Sequence, residues 1–342
     1  AAMRGELLAQ LDDYILPRLR SVDAPLLAVI GGSTGAGKST LVNSVIRAEV
    51  SLSGVIRPTT TSPVLVHHPA DERWFADQRI LPGLARVTGS AFAEPQPNTV
   101  RLVSSTTLPP GMALLDAPDI DSVVDANRAL ADQLLNAADL WLFVTTAARY
   151  ADAIPWELLR RAHNRGTAVA IILDRIDPEV IDEVRPHLLE MLRDQGLGVS
   201  PVFTVPETRL TADGLLPAEA FARLNAWLEA LASDRRAREV VVYQTLDGAL
   251  ASLDTRADAV LDAGRVQSEA ISALDGAAQG AYAAARASVN DGMGDGSLLR
   301  GEVLARWQEF VGTGEFFRQV EARVAKMRDR LTAAVKGSPP PT

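Results

Sequence analysis

The chain has 342 residues, of which 47% are hydrophobic and 23% charged, the profile of a folded protein with room for two domains or one domain and an appendage. It contains no cysteine, which excludes disulfide frameworks, thiolate metal sites and a cysteine nucleophile. Lys and Arg number 34 against 43 Asp and Glu, a formal charge of −9, which argues against a nucleic-acid partner held by broad phosphate neutralisation.

No apolar run reaches the roughly 18 residues of a membrane span, and residues 1–6 carry no apolar signal core. Together with the missing cysteines, this predicts a cytoplasmic protein. Between residues 7 and 19, Leu7, Leu8, Leu11, Tyr14, Ile15 and Leu19 recur at helical spacing. Pro25 ends that pattern, and residues 26–30 read as a short buried strand. Further apolar runs at 64–66, 112–115, 140–145, 169–173 and 202–205 read as strands, and helical stretches lie between most of them, for example at 39–48, 125–138 and 156–164. Strands alternating with helices predict an α/β fold with a doubly wound, mostly parallel sheet over residues 22–235.

Beyond Asp234 the strand signals stop. Leu246, Leu250, Leu253, Ala257 and Val260 follow a heptad-like seam, with glycines at 264, 276 and 280 predicting breaks and residues 290–297 reading as a linker. A helix with Leu299, Val303, Trp307 and Val311 on one face follows, then a turn at 312–314 and a last helix over 316–335. The expected organisation is an N-terminal helix (1–21), the α/β domain (22–235), a helical bundle or stalk (236–336) and a disordered tail (337–342). Trp307, Phe310, Phe316 and Phe317 are expected in the bundle core, and the arginines between 317 and 330 alternate with acids as a solvated face.

The strongest chemical signal is Gly32-Ser33-Thr34-Gly35-Ala36-Gly37-Lys38-Ser39, a full phosphate-binding loop placed between a predicted strand and a predicted helix. Its glycines let backbone amides turn towards phosphate at a helix N-terminus. Lys38 supplies positive charge to the β- and γ-phosphates, and the Ser39 hydroxyl binds Mg²⁺. The nucleotide-binding run is thus Ser33, Thr34, Gly35, Ala36, Gly37, Lys38, Ser39 and Thr40. Next, Arg57-Pro58-Thr59-Thr60-Thr61 offers a hydroxyl that could complete the Mg²⁺ shell when a γ-phosphate is present; Thr60 is the candidate, with a catalytic role beside Lys38. Asp116, ending an apolar run and followed by Ala117-Pro118-Asp119, occupies the position that holds a Mg²⁺-bound water. After residues 170–173 comes Asp174-Arg175-Ile176-Asp177. The carboxylate of Asp177 can accept two hydrogen bonds from the N1 and N2 edge of guanine, which adenine cannot offer; Asp174 and Arg175 are its neighbours in the nucleotide site. Residues 205–208 could close over the base. His67, His68, His163 and His187 show no metal-ligand spacing and read as structural.

This ordered set of motifs resembles the translation-factor-related (TRAFAC) P-loop GTPases of the Era-like and dynamin-like branch. With helices before the first strand and after the last, the chain is most similar to bacterial dynamin-like GTPases, and residues 298–311 resemble actinobacterial members. The resemblance implies Mg²⁺ as cofactor, GTP and GDP as ligands, and GTP hydrolysis, which the departures at 34, 119 and 120 predict to be slow. It also implies a homodimer or nucleotide-dependent self-assembly, and a membrane surface as a peripheral partner. Several departures from those families stand out. Thr34 and Ile120 occupy places where they carry a catalytic or water-orienting glutamine, and Asp119 replaces a glycine whose amide contacts the γ-phosphate. In the guanine motif Asp174 stands where asparagine is expected, which leaves ATP open as a substrate. The same motifs are compatible with a GTP-dependent scaffold that hydrolyses little, and with an Era-like GTPase acting on RNA.

Overall fold

The computed structural model describes residues 2–52, 63–88, 98–120, 125–295, 301–312 and 314–336. The expected Thr60 and its neighbours at 57–61 lie outside these residues. In chain order the elements are α1 (Ala2–Gln10), a π-helical turn (Leu11–Ile15), α2 (Leu16–Arg20), β1 (Leu26–Gly32), α3 (Lys38–Ile46), β2 (Val64–His67), α4 (Glu72–Phe75), β3 (Ala85–Val87), β4 (Thr99–Ser104) and β5 (Met112–Asp116). They continue with α5 (Asp125–Asn136), β6 (Leu140–Thr146), α6 (Ala153–Asn164), β7 (Ala168–Ile176), α7 (Ile181–Asp194), β8 (Val202–Pro206), α8 (Ala222–Ser233), α9 (Arg235–Gly294), α10 (Gly301–Gly312) and α11 (Glu315–Lys336).

The fold is α/β, built on one eight-stranded sheet ordered β3-β4-β2-β5-β1-β6-β7-β8. Every pairing is parallel except that of β2 with β5, where Val64 faces Asp116 and His67 faces Ala113. β1 lies in the middle and is buried along its whole length, as an all-apolar strand covered on both faces requires. Its side chains alternate. Leu27 and Val29 join the apolar residues of α5, α6 and α7, among them Leu134, Leu159 and Leu192. Leu26, Ala28 and Ile30 join those of α3 and α8, among them Leu41, Val42, Leu224 and Leu228. Helices thus cover both faces, and the C-terminal ends of β1, β5, β6 and β7 share one edge, where α/β sheets bind ligands. Strands β3 and β4 escape the sequence pattern: β3 has three residues and only β4's first two are buried.

The opposite edge is tied together by Asp139, which is 2% exposed. Its carboxylate accepts hydrogen bonds from the Leu27 amide at 2.8 Å and the Tyr14 hydroxyl at 3.0 Å, and pairs with Arg18 Nε at 3.1 Å. Burial pushes the Asp139 carboxyl above its usual range, and Arg18, the Leu27 amide and Tyr14 oppose that rise. The Asp139 carbonyl accepts from Thr245 Oγ1 at 2.7 Å, and Thr245 Oγ1 in turn accepts from the Ala168 amide at 3.0 Å. α9 therefore begins as part of the α/β body.

The chain divides into two compact units, residues 1–261 and 262–342. In the first, α9 packs on the N-terminal helices through Tyr14, Ile15, Leu246 and Ala249, with Leu11 and Leu253 beside them. The seam predicted from sequence is therefore shifted: Val242, Leu246, Ala249 and Leu253 face inward, whereas Leu250 is exposed. The breaks predicted at Gly264, Gly276 and Gly280 do not occur, and the helix runs through most of the expected linker to Gly294. A Cβ at any of these three would meet nothing within 4 Å; each costs the helix about 1 kcal/mol relative to alanine, which the alanine-rich neighbours tolerate. In the second unit all described residues except Asp295 and Gly314 are helical. Trp307, Phe310 and Phe317, expected in a core, are 59%, 37% and 64% exposed. Among the described residues no helix is long and apolar enough to cross a membrane.

Candidate functional site

The loop from Gly32 to Lys38 joins the end of β1 to the start of α3. Two glycines shape it. Gly37 has φ +93°, a left-handed conformation that favours glycine, and a Cβ there would sit 2.0 Å from Asp174 Oδ2. Gly35 has φ +74°. Ala36 donates its amide to the Ser33 carbonyl at 3.1 Å and Leu41 to that of Gly37 at 2.9 Å, so the turn leads directly into the helix. This concave run of amides at a helix N-terminus is suited to phosphate.

Lys38 is 5% exposed and folds back over the loop. Its ammonium donates to the carbonyls of Gly32 at 2.9 Å and Ser33 at 3.0 Å and to Asp119 Oδ1 at 2.5 Å. Ser39 Oγ donates to Asp116 Oδ2 at 2.7 Å, so two of the three residues expected to handle Mg²⁺ meet, with Asp116 delivered by the end of β5. Ser51 Oγ donates to the same oxygen at 2.5 Å, while the buried Asp116 Oδ1 has no partner among the described residues. Burial pushes the Asp116 carboxyl up, against the pull of Ser51, Ser39 and Lys38. An unsatisfied carboxylate oxygen beside a serine hydroxyl is the donor set a hard cation or its bound water takes; these residues fit Mg²⁺. Among the described residues no cluster of three or more His, Asp or Glu could hold a metal by itself.

Several partners of the site carried no sequence signal. Asn43 on α3 fixes the segment leading to Ser51. Its Nδ2 donates to the Ser51 carbonyl at 2.7 Å, and its Oδ1 accepts the amides of Val50 and Ser51 at 2.9 Å each. Arg101 of β4 also donates to the Val50 carbonyl. Arg149, in the loop after β6, donates to the Thr34 carbonyl at 3.1 Å and pairs with Asp152 at 2.9 Å. Thr40 lies in the first turn of α3, half-buried, and the Ser33 hydroxyl is buried without a partner among the described residues.

The end of β7 brings Asp174 against Gly37. Asp174 is 3% exposed, and its Oδ1 accepts the Arg175 amide at 2.9 Å. Burial pushes its carboxyl up to about 6, opposed by that amide and the Arg175 charge and aided by Glu207. Arg175 is exposed with φ +53°. Asp177 is exposed and accepts the Glu179 amide at 2.9 Å. Residues 205–208 come alongside, with the Glu207 amide donating to the Ile176 carbonyl at 3.0 Å. Asp174 and Arg175 thus lie beside the loop at Gly37, with Glu207 close enough to Asp174 for their charges to interact. The histidines sit elsewhere: His67 stacks on Phe75 and His187 meets the Tyr150 hydroxyl at 2.8 Å.

No family model and no curated protein matches the chain. Solved structures do. One chain of an oligomerised bacterial dynamin pair, described as a mechanism for long-range sensing and tethering of membranes, superposes over 99% of this chain with a TM-score of 0.46 and 14% identity. The present chain spans 57% of that one. Era from Aquifex aeolicus, bound to GDP and AlF4−, covers 60% of this chain and is covered over 56% of its own, with a TM-score of 0.38 and 17% identity. Toc33 from Arabidopsis thaliana, in complex with Mg²⁺ and GMPPNP, gives 68% and 92% coverage, a TM-score of 0.37 and 14% identity.

Proposed function

We propose that the chain is a Mg²⁺-dependent GTP-binding and GTP-hydrolysing protein of dynamin-like type, whose nucleotide state controls dimerisation or membrane-associated assembly. The observation that carries the reading is the loop between β1 and α3, with Lys38 over it and Ser39 2.7 Å from a buried Asp116 at the end of β5. In this reading the loop amides and Lys38 bind and orient the β- and γ-phosphates. Lys38 also holds positive charge where the leaving oxygen gains negative charge, an electrostatic contribution that needs no proton transfer. Ser39 directly, and Asp116 through water, would hold Mg²⁺, with Thr60 as a further ligand. When bound, the ion neutralises charge on the β- and γ-phosphates.

Asp177 is assigned to guanine because an exposed carboxylate with spare acceptor capacity suits the N1 and N2 donors. Asp174 and Arg175 line the adjoining wall. With threonine at 34, aspartate at 119 and isoleucine at 120, no side chain at these positions orients water as a glutamine would, so slow hydrolysis in the isolated chain is expected. The exposed apolar residues Phe317, Val320, Val324, Met327 and Leu331 on α11 recur at alternating spacings of three and four. They support assembly or a membrane surface as the output.

The test is single-turnover phosphate release from GTP at rising protein concentration, with and without Mg²⁺ and with Lys38→Ala alongside. Mg²⁺-dependent release that accelerates with concentration and is lost in the variant supports the reading. Release that stays flat near zero favours a GTP-dependent scaffold. Release from ATP at an equal rate removes the guanine assignment.

A further inference from the structure

We propose that Asp119 is an internal competitor for the terminal phosphate, a specificity-determining residue that makes this site prefer a nucleoside diphosphate over a triphosphate. The inference rests on the reading of the β1–α3 loop as a phosphate site. An ammonium has three N–H donors, and those of Lys38 are all committed: two to the carbonyls of Gly32 and Ser33, the third to the Asp119 carboxylate at 2.5 Å. The two carbonyls belong to the loop itself. That of Ser33 also accepts the Ala36 amide at 3.1 Å and that of Gly32 the Ile120 amide at 3.4 Å, so neither can withdraw without unmaking the turn. The donor that an arriving phosphate oxygen can take is the one Asp119 holds.

Nor can Asp119 retreat far. The segment carrying it is fastened to β1 on both sides, by the Ala117 amide on the Ile30 carbonyl at 3.1 Å and by the Ile120 amide on that of Gly32. Its side chain is 21% exposed and Lys38 only 5%, so the pair is poorly screened by solvent. Once displaced, the carboxylate stays beside the anion that displaced it. Like-charge repulsion at a few ångströms in a partly buried site is strong, and it grows with the charge at the Lys38 end of the ligand. The extra phosphate of a triphosphate therefore meets the larger penalty.

Calorimetric titration with GDP and with a non-hydrolysable GTP analogue, both with Mg²⁺, tests this on the full chain and on Asp119→Asn, Asp119→Ala and Lys38→Ala. The unaltered protein should bind GDP more tightly than the analogue. Removing the charge in either Asp119 variant should tighten analogue binding about tenfold or more relative to GDP. Tighter binding of the analogue by the unaltered protein overturns the proposal whether or not the variants fold. So does an unchanged ratio in the Asp119 variants. If GDP binding depends on Lys38 while that ratio is fixed, only the role of Asp119 fails. If no protein binds either nucleotide, the phosphate site fails with it.

Discussion

Replacing Asp174 by asparagine should stabilise the protein at neutral pH and leave its stability unchanged in mild acid. Asp174 is almost fully buried at the end of β7, with Oδ2 against Gly37 and Glu207 nearby, and its carboxyl is pushed from 3.8 to about 6. A carboxyl whose folded value is raised contributes stability that is complete below its unfolded value and is lost as pH climbs through the folded one. At about 1.4 kcal/mol for each tenfold change in acidity, a rise from 3.8 to about 6 corresponds to about 3 kcal/mol. Asparagine keeps the acceptor for the Arg175 amide and never ionises. The difference between variant and parent should be near zero at about pH 4, develop through pH 6 and level off near 3 kcal/mol above pH 7. Urea unfolding followed by circular dichroism at a series of pH values measures it. A difference independent of pH, or a variant less stable than the parent at pH 7.5, refutes the argument that ionised Asp174 is held against the loop at a cost.

Asp139→Ala removes the acceptor for the Leu27 amide and the Tyr14 hydroxyl and leaves Arg18 buried without its ion pair. Loss of one member of a buried pair costs about 3–5 kcal/mol, and a loss below 1 kcal/mol in urea unfolding would contradict the role given to this tie. Gly37→Ala should abolish nucleotide binding while the sheet stays folded, since its Cβ would lie 2.0 Å from Asp174 Oδ2 at φ +93°; binding within a few-fold of the parent would show that the loop does not hold this shape with ligand. Arg149→Ala removes one hydrogen bond to the Thr34 carbonyl. Loss of one such hydrogen bond is worth about 1 kcal/mol, read as a several-fold weaker titration with an unchanged circular dichroism spectrum, and an unchanged affinity refutes the contribution. Asn43→Ala removes three hydrogen bonds to the segment ending at Ser51. It should raise the Mg²⁺ concentration needed for binding, whereas equal dependence would detach that segment from the metal site.

The central part of the fold was legible because its strands are continuous apolar runs. β1, β5, β6 and β7 are buried on both faces, and burial on both faces is what writes such a run into a sequence. β3 and β4 were not, since a three-residue edge strand and a half-exposed neighbour carry no comparable pattern. The same difference separates the site residues. The loop and Ser39 could be placed because they share one local motif, and Asp116 because it ends a continuous apolar run. Ser51, Arg149 and the Lys38–Asp119 pair could not, because each joins residues brought together only by the sheet. The helical region misled in both directions. Glycines on an exposed helix face cost too little to break it, and the seam of α9 follows the position of Tyr14 and Ile15, which no periodicity within α9 encodes.

The most direct test of the account is a calorimetric titration of the full chain with GTP and with ATP, each with Mg²⁺, against Lys38→Ala. Binding of GTP but not ATP, abolished by the substitution, is the predicted result. Equal or stronger binding of ATP would contradict the assignment of Asp177 to guanine, and binding that survives loss of Lys38 would contradict the phosphate site on which the account is built.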